Sequence, residues 1–353
     1  MSVEAIVGTR PAPGAAAIRR GRALRRRRNS VVAASLFVAL LAVFAITLMI
    51  GETRYSADEV LRVLLGETVP GASFTVGELR LPRATAGALA GFAFGAAGAT
   101  FQTLLRNPLA SPDIIGISAG ASAAAVIGIV LLGLGSTGVS VLALFAALAT
   151  AIAIYALSHR RGFAGARFIL IGIGLAAMLQ SITSYVLSRA ATWDMQSAMR
   201  WITGSLGGAS WPNVLPLALA CVVLIPLLLI TARGLGVLQL GDDSAVALGL
   251  PVRTTRIVLI VAAVALLAFA TAVAGPVAFV AFMSGPIAVR LIGGGSSPLL
   301  AAGLVGSLLV MTADLVGQFM FEGRYPVGVV TGVLGAPYLI LLLVRMNRSG
   351  TAS

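Results

Sequence analysis

The sequence has no lysine; all 25 of its basic residues are arginine. A Walker A loop needs a lysine on the nucleotide phosphates, so the chain cannot be a P-loop ATPase. Lysine Schiff-base chemistry is excluded on the same ground. There is one cysteine, Cys221, and one histidine, His159. A single cysteine forms no disulfide within its chain, and the pair builds no Cys/His metal cluster. Cys221 lies in an apolar run and reads as a small core hydrophobe. His159 sits beside Arg160 and Arg161 in SHRRG and reads as part of a solvated basic loop. Charge itself is scarce, 10% of residues against 58% hydrophobic. No Ser/His/Asp set, no pair of carboxylates within one apolar run and no metal-ligand spacing can be found. No catalytic residue, metal site or cofactor is therefore expected in this chain, and an intramembrane enzyme lacks a nucleophile.

What the chain does have is apolar runs of about 20 residues, the length that crosses a ~30 Å hydrocarbon layer. Ten can be read, at 31–50, 84–105, 114–133, 137–157, 166–188, 212–231, 254–274, 275–292, 298–319 and 327–345. The third and eighth are the least regular, the eighth being short and interrupted by Gly275-Pro276 and Gly285-Pro286. The fold class expected is an all-α polytopic membrane protein with about ten transmembrane helices. It divides into a basic N-terminal tail at 1–30, a membrane domain at 31–346 and a short tail at 347–353. The run Arg25 to Arg28 could contact nucleic acid, but it directly precedes an apolar segment and so reads as a topology signal; no nucleic-acid partner is expected. The first apolar segment is too long for a signal-peptide core and reads as a retained span. Counting from an inside N-terminus, 18 arginines fall on the inner side and 7 on the outer. This places both termini in the cytoplasm. Gly87, Gly91 and Gly95 recur every four residues on one helix face, where small residues let backbones approach.

Residues 239–253, QLGDDSAVALGLPVR, stand out as a short polar connection on the inner side. Asp242 or Asp243 suits the N-cap of a helix, Gly249 its C-terminal cap, and Pro251 stops it. So short a helix is unstable alone in water, and packs on something. Within the spans, Asp314 is the main ionisable residue. It lies near Thr312 and Gln318 with no partner charge evident, and reads as a structural hydrogen-bonding group; the alternative is the coupling group of an ion-driven secondary carrier. On the outer side Arg80 and Arg83 flank Pro82 in LRLPR, and Arg324 sits in EGRYP. Arginine offers planar, bidentate bonding to carboxylates.

The stretch LRLPRATAGALAGFAFGAAGATFQTLLRNPLASPDIIGISAGAS (79–122) resembles the FecCD-type ABC importer permeases, which carry iron siderophores and cobalamin. LGDDSAVALGLPV (240–252), VAGPVAFVAFMSGPIAVRLIG (273–293) and YPVGVVTGVLGAPYLILLLVR (325–345) extend the likeness over about 31–346. The resemblance implies an ABC importer permease of the cobalamin/siderophore type in the bacterial inner membrane, moving a ferric siderophore inward. It implies a second permease subunit, identical or not, separate ATPase subunits that use ATP on the inner face, and a siderophore-binding protein on the outer face. It makes Asp242, Asp243, Ala247, Leu248, Gly249 and Leu250 the ATPase-coupling residues. Arg80, Arg83 and Arg324 become the residues that dock the binding protein. One departure is visible: many members read Pro-His-Ile-Ala-Arg in the eighth segment, where this chain has Gly285, Pro286, Ile287, Ala288, Val289 and Arg290, without the histidine.

Overall fold

The computed structural model describes residues 15–158, 165–293 and 297–350. His159, Arg160 and Arg161 of the SHRRG loop lie outside them. Among the described residues every regular element is helical. Ten helices correspond to the ten apolar segments: α1 (Ala15–Met49), α2 (Leu81–Leu104), α3 (Ile117–Val130), α4 (Ser136–Ser158), α5 (Gly165–Leu187), α6 (Trp211–Leu238), α7 (Val252–Ala274), α8 (Val280–Ile292), α9 (Leu299–Phe319) and α10 (Val327–Gly350). Eight belong to helical stretches long and apolar enough to cross a membrane; α3 and α8, from the two irregular segments, are shorter. Each shortened helix starts after a backbone break. Gly116, at φ +94°, precedes α3, and Gly275, at φ +67°, ends α7 before the non-helical run to α8.

The helices do not share burial equally. In its most apolar window the stretch carrying α2 is 78% buried, against 11% for α1 and 17% for α5. The core is therefore built round α2, which packs on α6, α7, α8 and α9. Its small residues explain how. A Cβ on Gly91 would overlap the Gly306 carbonyl of α9, one on Gly95 the Ala302 carbonyl, and one on Gly98 the Ala281 carbonyl of α8. Backbones that close gain dispersion contacts which larger side chains would forbid, and this is how helices associate where lipid is as apolar as leucine.

Several boundaries differ from the hydropathy reading. Helix α1 spans Ala15–Met49, so the run Arg25–Arg28 is helical and continuous with the first span. Helix α10 likewise continues to Gly350. Hydropathy marks where lipid begins, whereas backbone hydrogen bonding carries a helix on into water. The second span is preceded by Ala72–Phe74 and a π-helical turn, Thr75–Arg80. Pro82 follows at the start of α2. In an unbroken α-helix its ring would meet the Glu78 carbonyl, and a widened turn relieves that clash. A further amphipathic helix, Thr192–Thr203, buries Ala198 and exposes Trp193, Met195 and Met199. Its chain is too polar to register as a span.

The two ends of the bundle differ in charge. At the basic end lie Arg28, Arg106, Arg290 and the 239–253 connection. There the Arg28 guanidinium donates to the Leu291 and Arg290 carbonyls (3.1 and 3.4 Å), joining α1 to α8. At the opposite end are Arg80, Arg83 and Arg324 with Glu52 and Glu59. Here three glycines meet. Gly328 N–H donates to the Gly204 carbonyl (3.1 Å), Ser205 N–H to the Ala274 carbonyl (2.8 Å), and Gly275 leaves no room for a Cβ against the Trp201 carbonyl.

Candidate coupling and docking sites

At the basic end, Asp242–Ala247 forms the short helix expected between α6 and α7. Its N-cap is Gly241, at φ +108°, and no side chain caps it. The aspartate cap expected from sequence is thus corrected. Asp242 sits one residue inside the helix and turns outward to Arg256, whose Nη2 donates to both carboxylate oxygens (2.8 and 3.1 Å). An arginine competes well for a carboxylate that would otherwise bond only backbone N–H groups. Arg106 Nη2 stands 3.9 Å from the same carboxylate. Both aspartates still lie in the first turn, where negative charge favours the helix dipole.

The C-terminal end forms as expected. Gly249 N–H donates to the Val246 carbonyl (2.9 Å) and Leu250 N–H to the Ala245 carbonyl (3.0 Å), a Schellman motif with Gly249 at φ +79°. Nothing lies within 4 Å of where a Gly249 Cβ would be, so the backbone angle alone demands glycine. The helix is anchored by Ala245, fully buried, while Val246, Leu248 and the preceding Leu240 are each more than 60% exposed. Apolar side chains held outward at the polar end of a membrane protein form a surface suited to a partner. A cleft of about 540 Å³ beside them is lined by Asp242, Val246, Leu250, Arg253 and Arg256.

At the opposite end, Arg80, Arg83 and Arg324 line one cleft of about 410 Å³, together with Glu52 and Gln318. The structure brings together residues more than 240 positions apart, but gives each a partner within the chain. Arg80 donates to the Leu48 carbonyl (2.8 Å) and the Thr53 carbonyl (2.6 Å), satisfying the last turn of α1, and lies 5.0 Å from the Tyr55 ring centroid. Arg83 forms a two-pronged pair with Asp314, Nε to Oδ2 at 2.9 Å and Nη2 to Oδ1 at 2.8 Å. Gln318 adds a third bond to Asp314 (2.7 Å). Arg324 pairs with Glu52, and both are largely exposed.

The expectation that Asp314 has no charge in reach is therefore wrong. Its partner is Arg83, 231 residues away in sequence, and the pair joins α2 to α9. Two further residues with clear roles, Arg106 and Arg256, carried no sequence signal beyond their charge. The weak signal for Arg83 was balance, since a lone carboxylate inside a span calls for a cation at similar depth. Among the described residues no three His, Cys, Asp or Glu side chains gather to hold a metal.

The sequence matches the FecCD transport family over residues 39–345. It is 37% identical to the ferric enterobactin transport system permease protein FepG of Escherichia coli (strain K12), over 84% of this chain and 91% of that protein. It is 38% identical to the achromobactin transport system permease protein CbrC of Dickeya dadantii (strain 3937), over 93% and 96%. With the iron(3+)-hydroxamate import system permease protein FhuG of Bacillus subtilis (strain 168) the identity is 34%, over 90% and 97%. An inward-facing metal-chelate type ABC transporter has the same fold, with a TM-score of 0.78 over 90% of this chain and 99% of that one, at 24% identity.

Proposed function

From the fact that the chain belongs to the FecCD transport family, we propose that it carries a ferric siderophore inward across the bacterial inner membrane, driven by ATP on a separate subunit. It is a permease subunit of an ABC importer and not itself an enzyme. The cargo reading is supported by relatives whose names specify ferric enterobactin, achromobactin and iron(3+)-hydroxamate.

The observation that carries the energetic reading is the Asp242–Ala247 helix, with Val246 and Leu248 turned outward from a buried Ala245. In our reading the ATPase seats on this helix, and both termini share its cytoplasmic side, as the arginine count favours. Nucleotide binding and hydrolysis would bias the bundle between inward- and outward-open states, as a ligand biases any two-state equilibrium by binding one state more tightly. The binding protein would dock at the opposite cleft. There Arg324 is the most accessible arginine, because its pair with Glu52 is exposed and an exposed pair is worth only about 0–1 kcal/mol, so a partner's carboxylate can displace it. Arg80 and Arg83 shape that cleft while holding α1 and α9.

The test is iron accumulation in a deletion strain supplied with a panel of ferric chelates, followed by uptake in proteoliposomes. Restoration by this gene on a ferric siderophore, with uptake that requires ATP and survives collapse of the ion gradients, is the expected result. Uptake that persists without ATP and stops when the ion gradient is collapsed would overturn it.

A further inference from the structure

The last turn of α2 holds two other parts of the molecule at once. Pro286 lies inside α8 and has no N–H, so the Phe282 carbonyl four residues earlier loses its helical partner. In a membrane that loss must be made good from within the protein. Gln102 of α2 does so: its Nε2 donates to the Phe282 carbonyl (2.9 Å) and to the Pro108 carbonyl (3.0 Å). Both partners are acceptors, which fixes the orientation of the amide. Gln102 is 7% exposed, and a Cβ on Gly285 would overlap its amide oxygen. The Gly285-Pro286 pair is thus a notch that the Gln102 amide fills.

Four residues on, Arg106 stands where a glycine is usual. Arg106 N–H donates to the Thr103 carbonyl (3.3 Å) and Asn107 N–H to the Gln102 carbonyl (3.0 Å), the two bonds of a Schellman motif. The residue at its left-handed position is Arg106, at φ +50°. Non-glycine residues adopt that angle at a steric cost, which persists where the surrounding structure requires it. Here the side chain gives the reason, since Nη2 donates to the Leu238 carbonyl (2.7 Å) just before the Asp242–Ala247 helix and lies 3.9 Å from Asp242.

We propose that the turn from Gln102 to Arg106 is a mechanical relay, and that Gln102 is a positioning residue which makes the break in α8 follow the 239–253 connection. Arg106 grips the end of α6 where the connection begins and faces Asp242 within it, the Schellman cap makes the turn rigid, and Gln102 grips the break in α8. The far side of α8 touches α10, where Phe282 meets Tyr338 edge-on with ring centroids 6.4 Å apart. A displacement of the end of α6 therefore has a continuous path of hydrogen bonds into α8, and Asp242 of the connection reaches that path through its 3.9 Å ion contact with Arg106. The inference rests on the reading that the ATPase seats on Asp242–Ala247.

The test separates gripping from mere carbonyl satisfaction. In the assembled transporter, Gln102→Leu should lower thermal stability and raise the ATP hydrolysed per iron imported at least about tenfold, within the 5–150-fold range typical of coupling between sites. Adding Pro286→Ala restores an N–H to α8, so the Phe282 carbonyl no longer needs Gln102. The double variant should regain stability yet stay uncoupled. Arg106→Gly, which relieves the backbone angle, should uncouple without a comparable loss of stability. The cargo for these assays is whichever of ferric enterobactin, a ferric hydroxamate or ferric citrate the wild-type cells accumulate. Wild-type coupling in Gln102→Leu, or recovery of coupling together with stability in the double variant, would overturn the relay. Docking is scored separately by copurification of the ATPase with Leu248→Glu. Retention there would overturn the docking reading, whatever the Gln102 variants do.

Discussion

Removing Asp314 or Arg83 singly should destabilise the permease far more than removing both. Asp314 has a side chain only 5% exposed and accepts two arginine bonds and one amide bond, whereas Arg83 is 26% exposed beside a cleft. Breaking a buried pair from one side typically costs about 3–5 kcal/mol, because a charge is left without compensation. The exposure of Arg83 splits that range. In Asp314→Ala the orphaned guanidinium can turn into the cleft and find water, so the loss should fall near 3 kcal/mol. In Arg83→Ala the orphaned carboxylate stays enclosed, and the loss should lie nearer 5 kcal/mol. The double variant Arg83→Met/Asp314→Leu fills the space without charge and should come within about 1–2 kcal/mol of wild type, since apolar replacement of such pairs is often neutral. Cys221 offers the readout. It is the sole cysteine and 3% exposed, so a thiol-reactive fluorophore labels the protein only as it unfolds. Labelling against temperature, or against denaturant in fixed detergent, gives the three differences. Single losses below about 1 kcal/mol, or a double variant as unstable as the sum of the singles, would refute the structural reading of the pair.

Three further outcomes are expected. Gly249→Val should strain the left-handed end of the Asp242–Ala247 helix by about 1–2 kcal/mol and reduce stimulated ATP hydrolysis and uptake together; normal values of both would count against the role given to that helix. Arg324→Glu should weaken docking of the binding protein, measured by surface plasmon resonance, while the melting temperature stays within a few degrees of wild type, because its present pair with Glu52 is exposed. Gly95→Leu should prevent close approach of α2 and α9 and cost at least about 1–3 kcal/mol by overpacking, seen as Cys221 labelling at lower temperature. A fully stable Gly95→Leu would mean the two backbones can part freely.

Much of this was legible along the chain. Ten apolar helices could be placed, eight of them in stretches long enough to cross a membrane, because hydropathy reports transfer into lipid, a property local to each segment. The Gly249 cap was legible for the same reason, since positive φ is a property of one residue and its neighbours. The Gly91 and Gly95 stripe announced a close approach, but not that α9 was its target. What escaped depends on residues far apart. Arg83 and Asp314, or Gln102 and the Phe282 carbonyl, meet only after folding, and each alone resembles an ordinary polar residue near a span. Pro286 advertised a freed carbonyl without saying which side chain would meet it. The Asp242 cap was misread because Arg256, 14 residues later, outcompetes the backbone for its carboxylate. At the cleft proposed to receive the binding protein, sequence named the three arginines, and the structure gives each a partner within the chain, buried for Arg83 and exposed for Arg324.

The π turn at Thr75–Arg80 bears on how this permease and its relatives can diverge. It holds one residue more than the α turn it replaces, with the spare Gly77 carbonyl accepting from the Trp211 indole N–H (3.1 Å). Loss of a single residue between 75 and 80 would let the turn close to α geometry with α2 undisturbed. Because the extra residue is accommodated within that one widened turn, everything before it would keep its bearing round the helix axis, Tyr55 and its bond to the Gly71 carbonyl included. The segment is thus a length-tolerant joint in an otherwise rigid span. Across descendants of a common ancestor, one-residue gains and losses there would be absorbed by the width of this turn, leaving the segments on either side of it in register.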